Sequence, residues 1–119
     1  MEVTDKLTNA IIEGIQEKKG YDITVVDLET IEGTICNKFI ICQGNSPSQV
    51  EAIADSIEEF ARVKGGEKPV NIVGLGLSQW VAMDYVDVIV HIFLPDTREY
   101  YNIENLWEDA GVINIPNLD

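Results

Sequence analysis

Residues 79–94 constrain this chain more than any other stretch, because two short apolar runs follow one another with a turn between them. The second run, residues 88–94, reads VIVHIFL, rich in the β-branched residues that favour strands and far too short to cross a bilayer. Residues 79–84 alternate in the same way. A two-residue turn at Tyr85-Val86 makes a hairpin that pairs Asp84 with Asp87, Ala82 with Ile89 and Trp80 with His91. One face is then wholly apolar, with Val81, Met83, Val88, Val90, Ile92 and Leu94, and must lie against a core. The other shows Trp80, Ala82, Asp84, Asp87, Ile89, His91 and Phe93. That face is too apolar for plain solvent surface and too acidic for an interior.

Two carboxylates facing each other across a ladder repel, so the pairing needs a cation. Arg98 or Lys38 can supply it from within, and a basic partner from outside. Aromatic anchors beside such charges have the make-up of an interface centre. Catalysis fits less well. On a strand, Asp87 and His91 lie about 13 Å apart and cannot share a metal ion. The chain has one histidine, and neither a serine nor a cysteine stands near a plausible base in sequence. Gly74-x-Gly76 lacks the third glycine of a dinucleotide loop, since Gln79 stands there. A rival reading uses Gly44-Asn45-Ser46, a strand-to-helix turn where phosphate can bind, with Asp84 and Asp87 as magnesium ligands. Nucleotidyltransferases space such acids as Asp-x-Asp, and this chain has one residue too many. No cofactor, metal site or catalytic group is therefore assigned, and the chain is read as a binding protein and not an enzyme.

The remaining segments fill out an α/β order. Residues 3–19 place Val3, Leu7, Ile11 and Ile15 on one helical stripe, stopped at Gly20 after two lysines. Residues 22–28 and 38–43 read as strands, the second with a buried FIIC centre. Ser46 as N-cap, Pro47 and a Gln49 capping box open a helix with Val50, Ile53, Ala54, Ile57 and Ala61 on its stripe, ending at Gly65-Gly66. Residues 70–73 make a further strand. Pro95 ends the hairpin, and Asp96 with Glu99 caps a last helix running to about Trp107. Residues 111–119 show no periodicity and read as an irregular tail, leaving one domain over residues 1–110 with a mixed five-stranded sheet flanked by helices.

The chain has 119 residues, enough for one core, and carries a net charge of −13 from 21 acids against 8 bases. Nucleic-acid affinity rests on Lys and Arg neutralising phosphates, so direct binding to nucleic acid is not expected, whereas a basic protein would be steered toward it. No run approaches twenty apolar residues and no targeting segment is apparent, so no membrane association and a cytoplasmic location are expected. Cys36 and Cys42, joined by extended chain, sit roughly 20 Å apart and read as reduced thiols.

At this point the residues carry a resemblance. Gly20-x-Asp22-Ile23, Asp27, Phe39-Ile40-Ile41-Cys42-x-Gly44-x-Ser46, Ala54, Gly74, Trp80, Asp84-x-x-Asp87-x-x-x-His91 and Arg98-x-x-Tyr101-x-x-Glu104-x-Leu106-Trp107 together resemble the ribosomal silencing factors of the Iojap family. The resemblance implies a domain similar to the nucleotidyltransferase fold without its catalytic carboxylates. It implies binding to the large ribosomal subunit through ribosomal protein L-fourteen, which blocks joining of the small subunit, and homodimer formation. Carried over by position, Trp80, Asp84, Tyr85 and Asp87 lie at the contact, with His91, Arg98 and Tyr101 in support. The chain departs from the family in having Val86 where glycine is usual. A valine resists positive φ, so a glycine-type turn is not expected there. Val73 and Leu75 also replace acids that the family tends to carry before Trp80.

Overall fold

The computed structural model describes residues 5–28, 37–106 and 111–117. Helix α1 spans Lys6–Glu17, with the Asp5 carboxylate accepting from the Leu7 and Thr8 N–H groups at its start. Val3 and Cys36 lie outside the described residues. Strand β1 (Tyr21–Asp27) and strand β2 (Lys38–Gln43) pair antiparallel. Helix α2 spans Pro47–Phe60 and widens at its exit into a π turn, Ala61–Gly65, closed by Gly66 at φ 70°. Its predicted stripe, Val50, Ile53, Ala54, Ile57 and Ala61, is buried throughout. At its start Ser46 Oγ accepts from the Gln49 N–H at 3.1 Å, while Gln49 Oε1 reaches back to the Asn45 N–H at 2.7 Å, one residue beyond the ordinary capping box.

Strand β3 (Asn71–Val73) leads to the hairpin strands β4 (Trp80–Asp84) and β5 (Val88–Phe93). Helix α3 covers only Pro95–Tyr101. Asn102, left-handed at φ 47°, stops it, and a 3₁₀ turn follows over Ile103–Leu106. The expected run to Trp107 is therefore shorter, Leu94 and not Asp96 holds the N-cap position, and Trp107 lies outside the described residues. The sheet has six strands, not five, in the order β3-β4-β5-β2-β1-β6. The sixth, β6 (Gly111–Ile115), comes from the segment read as an irregular tail and pairs antiparallel with β1. Its alternation is real but only five residues long, cut by Gly111 and Pro116, too short to register as a period. Only β2 and β5 run parallel.

Both long helices cover one face. There Val25, Ile40, Cys42, Val81, Met83, Val90 and Ile92 pack with the apolar stripes of α1 and α2. Close approach of the two helices depends on Gly14: a Cβ there would stand 2.9 Å from the Ile57 Cα. The opened space lets Ser56 Oγ donate to the Gly14 carbonyl at 2.7 Å. Cys42 is buried and free, its thiol pushed up to about 12 by burial, which keeps it protonated and unreactive. The opposite face holds a smaller cluster of Val26, Leu28, Ile41 and Phe93 with Phe39, Trp80, Ile89 and Ile103 around it.

Candidate docking face

The hairpin keeps the predicted division into faces but shifts the pairing by two residues. Trp80 stands opposite Phe93, Ala82 opposite His91 and Asp84 opposite Ile89. The connection between the strands is therefore three residues, 85–87, with the Tyr85 N–H donating to the Val88 carbonyl at 2.9 Å and the Asp87 N–H to the Tyr85 carbonyl at 2.9 Å. An even shift leaves every side chain on its expected side, because side chains alternate with period two. It removes the facing acid pair: Asp87 sits in the turn, and Asp84 Oδ1 accepts from the Val86 N–H at 2.8 Å. Val86 adopts φ 74°, so the glycine-like turn does form, on a valine. Among the described residues no cation lies within ion-pair distance of Asp84 or Asp87. Lys38 pairs with Asp5 at 3.9 Å, and Arg98 is engaged elsewhere.

Three of the expected contact residues are buried. Tyr85 continues the parity of Val81 and Met83 and points to the helix side at 2% exposure. Burial, with Glu58 and Glu67 nearby, pushes its phenol well above the usual range. Arg98 is an internal brace: Nη1 donates to the Asp22 carbonyl at 2.6 Å and Gln43 Oε1 at 3.1 Å, and Nη2 donates to Thr24 Oγ1 at 3.1 Å. His91 lies edge-on to Phe39 at 5.0 Å and stacked with Phe93 at 6.1 Å. The Trp80 Nε1–H donates to His91 Nδ1 at 3.0 Å, so the ring is neutral with its proton on Nε2. Nε2 is buried without a hydrogen-bond partner, and burial lowers the ring to about 4. His91 is a support for Trp80 and not a base poised for chemistry.

What remains exposed is apolar. Trp80 stacks on Phe93 at 4.9 Å and meets Tyr101 of α3 at 4.7 Å. The loop between β3 and β4 adds Leu75 and Leu77, which sequence reasoning did not single out for this role; Leu77 is 80% exposed. Their signal was two leucines alternating with Gly74 and Gly76, an apolar pair on a chain free to adopt positive φ. Gly74 has φ 97° and passes so near Trp80 that a Cβ would lie 2.0 Å from the Trp80 carbonyl oxygen. Buried Ser78, at φ 53°, anchors the loop to α2 through Oγ on Glu51 Oε2 at 2.6 Å. Leu75, Leu77, Trp80, Thr97 and Tyr101 line a cleft of about 230 Å³. At Asn45-Ser46 the Asn45, Gln49 and Val50 N–H groups are given to protein oxygens and Pro47 has none, which leaves fewer donors for a phosphate there.

A mixed sheet covered by helices on one face, with an aromatic and leucine-lined cleft on the other, defines the class: a two-layer α/β domain with one sheet face open. The chain belongs to the family described as "Ribosomal silencing factor during starvation", whose model matches residues 2–119. A ribosomal silencing factor of Halalkalibacterium halodurans is 34% identical over 113 residues, 95% of each chain. That of Bacillus subtilis is 39% identical over 99 residues, 83% of this chain and 82% of the relative. An X-ray crystal structure of a Chromobacterium violaceum protein superposes with a TM-score of 0.81 at 33% identity, over 91% of this chain and 88% of the other.

Proposed function

We propose that this chain is a translation repressor that binds the large ribosomal subunit through ribosomal protein L-fourteen and, seated there, blocks the small subunit from joining. The observation that carries the reading is the Leu75–Leu77–Trp80–Tyr101 cleft, an apolar anchor set left open on a chain of net charge −13. Exposed apolar groups gathered around a cleft mark protein contacts, and Trp and Tyr are the side chains that most often dominate them. Family membership points the face toward the ribosome. Trp80 and Tyr101 are the anchors, His91 fixes the Trp80 ring from beneath, and Asp84 and Asp87, at the hairpin tip beyond the cleft, await a basic partner. Tyr85 and Arg98 act through the fold alone.

The repression is steric, with no catalytic step and no cofactor, on a fold that the sequence likens to nucleotidyltransferases. It operates in the cytoplasm; among the described residues no helix is long and apolar enough to cross a membrane. A homodimer belongs to the same reading. The test is binding of the purified chain to purified L-fourteen. Trp80→Ala and Leu77→Asp should each weaken it by about thirtyfold, as loss of a buried anchor does, while Val63→Asp on the distant π turn leaves it unchanged. Folded variants that bind like the parent would place the contact elsewhere. Tight binding with no inhibition of subunit joining would dismiss the steric mechanism.

A further inference from the structure

A cavity of about 810 Å³ lies away from the docking cleft, between α3 and the β1–β6 edge. It opens at the carboxyl end of the parallel pair β2 and β5, the place where open α/β sheets hold small ligands. Its polar lining is arranged unevenly. Gln43 Oε1 accepts from Arg98, Asn114 Oδ1 from Thr24 Oγ1 at 3.1 Å, and Asn102 Oδ1 from Asn105 Nδ2 at 2.7 Å. Each amide oxygen is thus committed to protein, and the NH₂ groups of Gln43, Asn102 and Asn114 have no partner among the described residues. A free amide NH₂ group can only donate, so this lining asks for an acceptor such as a carboxylate.

The rim asks for the opposite. Asp22, held left-handed at φ 51°, gives one carboxylate oxygen to Asn117 Nδ2 at 3.2 Å and keeps the other exposed. Glu99 projects from α3 beside it. A simple anion would meet these two carboxylates on a chain of net charge −13, against one lining cation, Arg98, that is already bonded to the Asp22 carbonyl, Gln43 and Thr24, and a simple cation would leave the amide donors idle. A molecule with a carboxylate and an ammonium group satisfies both sets and carries no net charge into that field. Pro95, Ile115 and Pro116 supply apolar wall for a side chain. We infer that the cavity binds a small zwitterion of the α-amino acid class, its carboxylate on the Gln43, Asn102 and Asn114 amides and its ammonium on Asp22 and Glu99. The cavity volume falls within the range usual for small-molecule sites.

The test is calorimetric titration of the whole chain with each common L-amino acid singly, and with glycylglycine, acetate and methylammonium. At least one zwitterion should saturate at a Kd of about 1 mM or tighter, with acetate and methylammonium weaker by about tenfold or more. Saturation by free amino acids only assigns the site to them, and tighter binding of glycylglycine assigns it to a peptide end of the same chemistry. Asn114→Asp keeps the acceptor for Thr24 and replaces the donor, and Glu99→Gln removes the exposed charge. Each should weaken the zwitterion by about tenfold with the melting temperature unchanged. Failure of every zwitterion to saturate overturns the inference. So does acetate binding equally well, or both variants binding like the parent.

Discussion

At the scale of single residues, the turn at Val86 and the ring of His91 each hold free energy against the fold. Val86 takes φ 74° with an i to i+2 hydrogen bond across it from Asp87 to Tyr85, a γ-turn of the positive-φ kind. A left-handed β-branched residue costs about 1–2 kcal/mol, more than the extra chain entropy that glycine loses on folding. Val86→Gly should therefore stabilise the chain by about 1 kcal/mol, read as a higher urea midpoint at constant slope. A midpoint equal to or below the parent's would show that the surroundings, and not the turn, set the cost. His91 acts in the other direction with pH. Its folded ring titrates at about 4 against an ordinary 6.5, so folding favours the neutral form. The resulting stability is present in full above pH 6.5 and drains away as pH falls toward 4, amounting to about 3 kcal/mol across that window. Carboxylates titrate there too, so the measurement is the difference in unfolding free energy between the parent and His91→Gln. That difference should shrink on acidification, and a flat difference would mean that the ring is hydrated.

At the scale of elements, the long periodic segments were legible and the short ones were not. The α2 stripe, the strand around Phe39–Cys42 and the parity of the hairpin follow from spacing alone, because burial on one side writes a period into many residues at once. Hairpin register does not follow in that way. Two registers that differ by two residues place the same side chains on the same faces, so nothing in the alternation distinguishes them. Only the local hydrogen bonds of 84–88 decide, and they rest on a valine conformation that propensity argues against. Arg98 was offered from the sequence as an internal cation for the acid pair, yet the bulge at Asp22 turns a backbone carbonyl toward it and gives it a buried acceptor there instead. Strand β6 escaped because five residues make too little pattern. Ile113 and Ile115 nonetheless pack on the main core. Ile113→Ala should cost about 2 kcal/mol in chemical denaturation, the usual range for a buried isoleucine discounted for partial exposure. A loosely docked tail would tolerate the change without a shift.

At the scale of the whole molecule, the proposed docking divides the work of association between charge and cleft. The acids are spread over the chain, whereas the apolar anchors converge on one face, so they act at different ranges. Net charge of −13 draws a basic partner over distances comparable to the screening length, about 10 Å at 0.1 M salt, and governs arrival. Leu75, Leu77, Trp80 and Tyr101 act only on contact and govern departure. Kinetics with purified L-fourteen should then separate in two ways. Raising salt from about 0.05 to 0.5 M should slow association by about tenfold and leave dissociation nearly unchanged. Trp80→Ala should leave association and its salt slope intact and speed dissociation. Asp84→Asn with Asp87→Asn tests the join between the two, because these acids stand at the hairpin tip, about 13 Å along β4 from Trp80, with no cation in ion-pair range among the described residues. If they meet basic groups of the partner, the double variant loses part of the salt slope and also dissociates faster. If they only add to the general field, the slope falls in proportion to two charges among many and dissociation does not move. The second result would retain the face and remove Asp84 and Asp87 from it.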